Sequence, residues 1–151
     1  MLSPTESRTK EVETVVEVKD NKKPTFTLGS KSKGKLIGVH PDLVAVVERA
    51  IEISTKQDFT VLEGLRTKER QRQLVRDGKS QTMNSRHLTG HAVDLAPVVN
   101  GSISWDWDYY WELERVMKQA SKELGVPIEW GGDWTTFKDG PHWQLPWNRY
   151  K

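Results

Sequence analysis

Hydrophobic residues recur with helical spacing in two segments of the amino-acid sequence. In the first segment, apolar positions fall on one face of a helix that begins at Pro41, a residue suited to a first helical turn. These positions are Leu43, Val44, Val47, Ala50 and Ile51. The pattern predicts a helix that buries one face, with His40 before it in a capping or surface position.

The second segment is the longest and covers about residues 106–124, with Gly125 at its end. Its periodic apolar positions are Trp107, Tyr110, Trp111, Met117, Ala120 and Leu124. This spacing predicts that Trp107 and Trp111 pack in the core. Asp106 and Asp108 lie at the start of the helix, where carboxylates complement the helix dipole. We favour this role for the two acids over a cation site.

Other hydrophobic runs are short and rich in β-forming residues. They predict strands at residues 58–65 and 91–97, the second ended by Pro97. Two more short strands are expected at residues 126–132 and 142–147, on either side of an irregular loop. Helices followed by strands with irregular loops predict an α+β fold with a small, mostly antiparallel sheet.

The polar segments divide the chain further. Residues 66–78 predict a polar helix with Thr67 as its N-cap and Gly78 at its end. Residues 29–35, GSKSKGK, predict a flexible basic connector, so that the folded part begins near Leu36.

The N-terminal segment has balanced charges and contains no aromatic residue. It predicts a flexible or disordered extension over residues 1–25, although Val12–Val18 alternates as an edge strand would. Residues 26–151 then form the domain that carries the chemistry.

Composition excludes several classes of site and partner. The chain has 151 residues, enough for one domain, and no cysteine, which excludes disulfides, thiolate zinc sites and cysteine nucleophiles. The net charge is only +2 and the two signs are mixed, which argues against a nucleic-acid partner. The N-terminus has no signal-peptide pattern and no apolar run is long enough to span a bilayer. We therefore expect a cytoplasmic monomer that does not insert into membranes.

Candidate chemistry is concentrated in NSRHLTGHAVDLAP, residues 84–97. His87 and His91 have the spacing of two zinc ligands on one helix face, but Gly90 and the β-branched run after it disfavour a helix. In a strand over residues 91–96, Asp94 lies on the face opposite to that of His91. His87 lies in the preceding loop and is free to turn back toward Asp94.

A catalytic zinc site usually has three protein ligands, so a third is needed. His142 begins the strand-like run HWQL and is the best candidate. Asp139 precedes it by three residues, across a turn that contains Gly140 and Pro141. From that position a carboxylate could act as general base on a water molecule without binding the metal.

These residues resemble the motifs of zinc peptidases that cut the stem peptides of bacterial peptidoglycan. SRHLTGHAVDL is similar to the family pattern Ser-x-His-x-x-Gly-x-Ala-x-Asp, and DGPHW resembles its second motif, an acid shortly before the last zinc histidine. EGLRT resembles the Gly-Tyr-Arg-Ser segment that supplies a substrate-binding arginine, with Leu65 in place of the usual aromatic residue. The likeness covers roughly residues 26–150 and is closest to the phage L-alanyl-D-glutamate peptidase endolysins.

The resemblance implies a fold of the hedgehog and D,D-peptidase type and a role for each matching residue. It implies that His87, Asp94 and His142 bind Zn²⁺, that Asp139 is the general base, and that Arg66 binds the substrate and its oxyanion. Ser85 has two open roles, a hydrogen bond near the substrate or a cap on the turn.

The activity implied is hydrolysis of the L-Ala–D-Glu bond of peptidoglycan stem peptides. The biological role implied is lysis of the host cell by an enzyme that leaves the cytoplasm through a holin-type pore. One of the tryptophans at positions 130, 134, 143 and 147 is expected to line the cleft.

Three alternatives stay open at this point. The same chemistry could act at D-Ala–D-Ala, as in a carboxypeptidase or dipeptidase. The chain could also be a non-catalytic wall-binding module with a structural zinc. A metal nuclease is the third, and the modest net charge argues against it.

Overall fold

The computed structural model describes residues 26–151. The expectations for residues 1–25, including the alternative of an edge strand at Val12–Val18, lie outside the described residues. The helices of the described part are α1 Ser30–Lys35, α2 Pro41–Ile53, α3 Lys68–Arg76 and α4 Trp107–Leu124. Its strands are β1 Asp58–Glu63, β2 Ala92–Val99, β3 Ser102–Ile103, β4 Glu129–Trp130 and β5 His142–Gln144. Two 3₁₀ turns, Arg86–Thr89 and Gly131–Asp133, precede β2 and follow β4.

All strand pairs in the sheet are antiparallel. The order is β1-β2-β5-β4, and β3 pairs with the end of β2. Helices α2 and α4 pack against each other and share one buried cluster with the sheet. The predicted α+β fold with a small antiparallel sheet is therefore confirmed. No helix within residues 26–151 is long and apolar enough to cross a membrane.

The two faces of the sheet differ in chemistry because neighbouring residues on a strand point to opposite sides. On one face, Trp143 of β5 lies opposite both Val93 and Trp130, and all three side chains are buried in the core. On the other face, Asp94 lies opposite both His142 and Glu63. The apolar face packs on the helices, and the polar face is left to carry a site.

The three longer helices begin and end much as their sequences predict. His40 caps α2 by accepting from the Asp42 N–H at 3.0 Å, and Thr67 caps α3 by accepting from the Arg70 N–H at 3.0 Å. Asp106 caps α4 by accepting from the Asp108 N–H at 2.9 Å, as expected of a helix-start acid.

The expectation of a flexible connector at residues 29–35 is wrong, because this segment forms α1 along the edge of the sheet. Ser32 is buried, and its hydroxyl accepts a hydrogen bond from the Val61 N–H at 3.0 Å. This contact satisfies an edge N–H of β1 that would otherwise lack a partner. Leu28 is also buried, so the core begins before Leu36.

Pro97 does not end β2, which continues to Val99. The Pro97 carbonyl accepts from the Ser104 N–H at 3.0 Å, on the side away from β1. Because the nitrogen of a strand residue faces the same side as its carbonyl, proline removes no hydrogen bond from the β1–β2 ladder. The strands expected at 126–132 and 142–147 are shorter than predicted, and cover Glu129–Trp130 and His142–Gln144.

The prediction that Trp107 and Trp111 are core residues is wrong. They are 38% and 51% exposed, and Leu124 is exposed as well. The rings of Trp107 and Trp111 instead lie beside Trp130, with centroids 6.2 and 5.7 Å from it. The buried positions of α4 are Tyr110, Leu113, Val116, Met117 and Ala120.

Candidate metal and peptidase site

The polar face of the sheet brings three predicted site residues together. The β2–β5 register places Asp94 directly opposite His142, and His87 reaches them from the 3₁₀ turn Arg86–Thr89. Asp94 Oδ1 lies 3.0 Å from His87 Nε2 and 3.4 Å from His142 Nδ1. One ligand atom from each residue lies within 4.8 Å of the others, so the group could hold a metal ion.

The 3₁₀ turn fixes both the position and the tautomer of His87. Its Nδ1 lies 2.8 Å from the Gly64 carbonyl, which can only accept, so Nδ1 carries the proton and Nε2 faces Asp94. Ser85 caps the turn by accepting from the His87 N–H at 3.2 Å. Gly90 ends the turn with φ of +77°, where a Cβ would lie 2.3 Å from the Gly38 carbonyl oxygen. Of the two roles left open for Ser85, the cap is the one seen.

A hydrogen-bonded chain across β5 and β4 orients His142. Its Nε2 lies 2.8 Å from Gln144 Oε1, and Gln144 Nε2 donates to Glu129 Oε1 at 3.0 Å. The carboxylate of Glu129 can only accept, so it takes the amide N–H of Gln144. The amide oxygen of Gln144 then faces the imidazole and keeps a proton on Nε2 of His142. This leaves Nδ1 of His142 free on the side of Asp94.

The pKa values of this group reflect its burial and close charges. Burial alone would raise the pKa of Asp94, but hydrogen bonds from His142 and His87 outweigh it and hold that pKa far below its usual range. Burial disfavours the imidazolium form of His142, but the hydrogen bond to Asp94 and the nearby carboxylates outweigh that cost and raise its pKa.

Asp139 lies beside the cluster in the loop before β5. Its N–H donates to the Gly131 carbonyl at 3.0 Å, and its own carbonyl accepts from the His142 N–H at 3.1 Å. A Cβ at position 131 would lie 2.4 Å from the Asp139 carbonyl oxygen, so the loop requires glycine there. Burial and the charge of Asp94 raise the pKa of Asp139, against the opposing effect of the nearby histidines and Arg66.

Arg66 follows β1 and lies on the other side of the cluster. Its Nη2 is 3.6 Å from Asp94 Oδ2, and its side chain is only 8% exposed. Two hydrogen bonds of 3.0 and 2.7 Å hold the guanidinium on the Glu63 carboxylate, and Nη1 donates to Gln71 Oε1 at 2.7 Å. A bulge in β1 between Val61 and Glu63 places Glu63 opposite Asp94. The arginine is therefore fixed in direction before any substrate arrives.

A cleft of about 820 Å³ opens over the cluster. Its lining includes all six predicted site residues, Arg66, Ser85, His87, Asp94, Asp139 and His142. The four tryptophans expected near the site divide into two pairs: Trp134 and Trp147 line the cleft, whereas Trp130 and Trp143 are stacked in the core with centroids 5.5 Å apart.

His91 is not part of the cluster. Its Nδ1 pairs with Thr89 Oγ1 at 2.7 Å, and its ring lies 5.6 Å from that of His40. Strand alternation predicts this separation of His91 from Asp94.

The donor set fits a zinc hydrolase. Two imidazole nitrogens and one carboxylate oxygen are the ligands of several catalytic zinc sites, which leave a fourth position for water or substrate. In its neutral form each histidine can present an unprotonated nitrogen to the centre, because a hydrogen bond holds the remaining proton on its other nitrogen.

Comparison with known proteins identifies a family for the chain. Residues 24–144 match the model of the phage L-alanyl-D-glutamate peptidase family. The chain belongs to this family. The family and enzyme class predicted from the motifs are therefore confirmed.

Individual relatives of this peptidase support its assignment to the family. The chain is 38% identical over 119 residues to the L-alanyl-D-glutamate peptidase of Escherichia phage T5, covering 76% of this chain and 86% of that protein. It is 36% identical over 108 residues to the enzyme of the same name from Listeria phage A118, covering 70% of this chain but only 37% of that protein.

The structure is also similar to a solved one. The crystal structure of the Serratia marcescens L-Ala D-Glu endopeptidase ChiX superposes with a TM-score of 0.79 at 48% identity, covering 83% of this chain and 94% of that chain.

Sequence reasoning missed three polar residues of this peptidase site. Glu63 and Gln71 hold Arg66, and Gln144 holds His142. Gln71 is fully buried in an otherwise polar helix, which no sequence pattern marks. Gln144 lies two residues after His142 on one strand, so it shares a face with that histidine, and this spacing was the available signal.

Proposed function

We propose that this family member is a zinc-dependent endopeptidase that hydrolyses the L-Ala–D-Glu bond of peptidoglycan stem peptides. The observation that carries the proposal is the convergence of His87, Asp94 and His142 on the floor of one cleft, with Asp139 and Arg66 on either side. The names of the phage and bacterial relatives support the choice of bond.

His87, Asp94 and His142 would hold the zinc ion, His87 through Nε2 and His142 through Nδ1. Bound there, zinc would supply Lewis-acid chemistry, which acidifies water toward neutral pH and polarises a carbonyl group. The Gly64 carbonyl and Gln144 favour the neutral tautomers in which both donor nitrogens would be unprotonated toward the metal.

Asp139 is the proposed general base. Its carboxylate takes a proton from the attacking water and returns it to the amine of the leaving glutamyl residue. Its raised pKa makes it a stronger base than an exposed aspartate, and its hydrogen-bonded loop keeps it beside the cluster.

Arg66 is the proposed electrophile for the developing oxyanion. Its contacts with Glu63 and Gln71 use three of the five guanidinium N–H groups, so two remain for an oxyanion, and the contacts restrict reorientation of the side chain. The Glu63 carboxylate also offsets the desolvation cost of this nearly buried cation.

End-group analysis of digested murein tests the activity. Purified murein is incubated with the zinc-loaded protein, and the new N-terminal residues and released amino acids are identified. New N-terminal glutamate is expected, and release of free D-alanine instead would contradict the proposed bond.

A variant separates the chemistry from mere wall binding. Asp139→Asn is expected to keep stoichiometric zinc and to lose murein cleavage by about two to four orders of magnitude, the usual contribution of a general base. A variant that keeps both zinc and full activity would contradict the role of Asp139.

We also propose that the enzyme acts as a monomer in phage-driven lysis of the host and reaches the wall through a holin-type pore. The two phage relatives support this role. Expression in a bacterial host with and without a holin tests it, since lysis is expected only in the presence of the holin.

A further inference from the structure

A second groove joins the catalytic cleft at the end of β1. It has a volume of about 410 Å³ and lies between α1 and the start of α3, with Lys35 and Arg70 among its lining residues. Leu62, Glu63 and Arg70 line both this groove and the cleft. The cleft and the groove therefore adjoin at these three residues, beside Arg66.

The groove is lined by two cationic side chains, Lys35 and Arg70, and by one carboxylate, Glu63, which is paired with Arg66. The charge of Arg66 is offset by Glu63, and Arg86 is buried on the carbonyls of Leu145 and Tyr150. Arg70 is exposed, and no carboxylate of residues 26–151 lies within 4.0 Å of its guanidinium. Within the same residues, the guanidinium donates only to Gln73 Oε1, at 3.2 Å.

The cleft also has an aromatic part. Trp105, Trp134 and Phe137 also line the cleft, and Trp105 and Phe137 are largely exposed. The cleft thus combines aromatic side chains with a cationic residue where it adjoins the groove, so an asymmetric substrate has a preferred orientation.

The proposed substrate is asymmetric in the same way. Glutamate has two carboxyl groups, and after its amine is acylated by L-alanine at most one of them continues the peptide. At least one carboxyl group, free or amidated, therefore remains within a few bonds of the scissile nitrogen. The alanyl side of the bond offers no such charge.

We propose that Arg70 binds this glutamyl carboxylate and makes the enzyme selective for acidic over amidated stem peptides. The inference rests on the proposed function and assigns a specificity role that is separate from catalysis. Arginine suits it because its planar fork can bind a carboxylate through two parallel hydrogen bonds. The residues that follow the glutamate then lie in the groove between α1 and α3.

Two synthetic stem peptides test the proposal, one with the free glutamyl carboxylate and one with that group amidated. The kcat/KM for cleavage after L-alanine is measured for the wild type, Arg70→Gln and Arg72→Gln. Arg72 is exposed on the same helix and lines neither cavity, so its variant is a matched control for the loss of one positive charge.

The wild type is expected to prefer the acidic peptide. Arg70→Gln is expected to lose about 5- to 10-fold in kcat/KM on the acidic peptide, the range for a partly solvated charged pair, and to be nearly unchanged on the amidated one. Arg72→Gln is expected to behave as the wild type on both, and Arg70→Lys to recover part of the preference.

Two results would overturn the assignment of Arg70. One is an equal loss on both peptides in Arg70→Gln, and the other is an equal loss in Arg70→Gln and Arg72→Gln. Failure of the wild type to cleave either peptide after L-alanine is a different result, because it contradicts the proposed function itself.

Discussion

At the scale of single residues, His87 and His91 differ in what their backbone lets them reach. His87 lies in a 3₁₀ turn that directs its ring onto the polar face of the sheet, 3.0 Å from Asp94. His91 lies between the turn and β2, and its ring contacts Thr89 instead. Two histidines four residues apart can thus have unrelated roles when the segment between them is not a helix.

This difference predicts opposite effects of removing each ring. His87→Ala is expected to lose stoichiometric zinc, because two donors do not form a catalytic zinc site, whereas His91→Ala is expected to keep it. Metal content after dialysis measures both, with circular dichroism as a check on folding. Full zinc content in His87→Ala would refute the proposed ligand set.

The protonation of His142 predicts how zinc affinity depends on pH. Zinc binds the neutral imidazole, and the environment of the metal-free site raises the pKa of His142 above its ordinary value of about 6.5. As the pH falls through that raised pKa, the proton competes with the metal, so zinc affinity is expected to fall already above pH 6.5.

Competition with a chromophoric chelator, followed from pH 8.5 to 5.5, measures this dependence. Gln144→Leu removes the hydrogen bond that holds the His142 proton on Nε2, and is expected to weaken zinc binding about 10- to 100-fold. An affinity that stays constant across this pH range would mean that no proton competes with the metal for His142.

At the scale of elements, prediction succeeded where a local signal decides the structure. Side chains within a few residues of the first turn cap the three longer helices, and Gly78 and Gly125 follow the ends of α3 and α4 as predicted. Strand alternation placed His91 and Asp94 on opposite faces, and the motif residues all line one cleft.

Prediction failed where a distant partner decides the structure. The segment that forms α1 has weak helical propensity, and Ser32 is buried because β1 offers it an edge N–H. Trp107 and Trp111 fit a buried face by spacing, but Tyr110 and Leu113 hold that face and the tryptophans lie beside Trp130. Gln71 has a role only because the fold brings Arg66 to it.

Glycine in the turn before β2 can be needed for its positive φ alone, or also because a side chain would clash with a neighbouring backbone. A comparison of Gly90 with Gly101 separates the two reasons. Gly90 and Gly101 both have positive φ, of +77° and +82°. A Cβ at Gly101 meets nothing within 4 Å, whereas one at Gly90 would lie 2.3 Å from the backbone oxygen of Gly38. Gly101→Ala should then lower the free energy of unfolding only by the strain of an alanine in the left-handed region, about 1 kcal/mol.

Gly90→Ala is expected to cost clearly more than Gly101→Ala in the free energy of unfolding, because a backbone clash adds to the strain. It should also weaken zinc binding, since the displaced turn carries His87. Urea denaturation and chelator competition measure the two effects. Equal losses of stability in both variants, with unchanged zinc affinity, would show that the contact with Gly38 does not constrain the turn.

At the scale of the whole molecule, the site exists only when distant segments are assembled. His87 belongs to a 3₁₀ turn, Asp94 to β2 and His142 to β5, and the strands meet only in the folded sheet. The unfolded chain therefore cannot present the three donors together, so zinc binding and folding are thermodynamically linked.

This linkage predicts that zinc stabilises the whole domain and not only the loops around it. At a free zinc concentration about 100 times Kd, the native state gains about 2.7 kcal/mol. For a chain of this size that corresponds to a rise in Tm of roughly 5–10 °C, reversed by a chelator. Differential scanning calorimetry of the full chain, with and without zinc, measures the shift. His87→Ala, scanned in the same buffers, should show little or no rise, and a shift as large as that of the wild type would mean that zinc stabilises the protein at some other place.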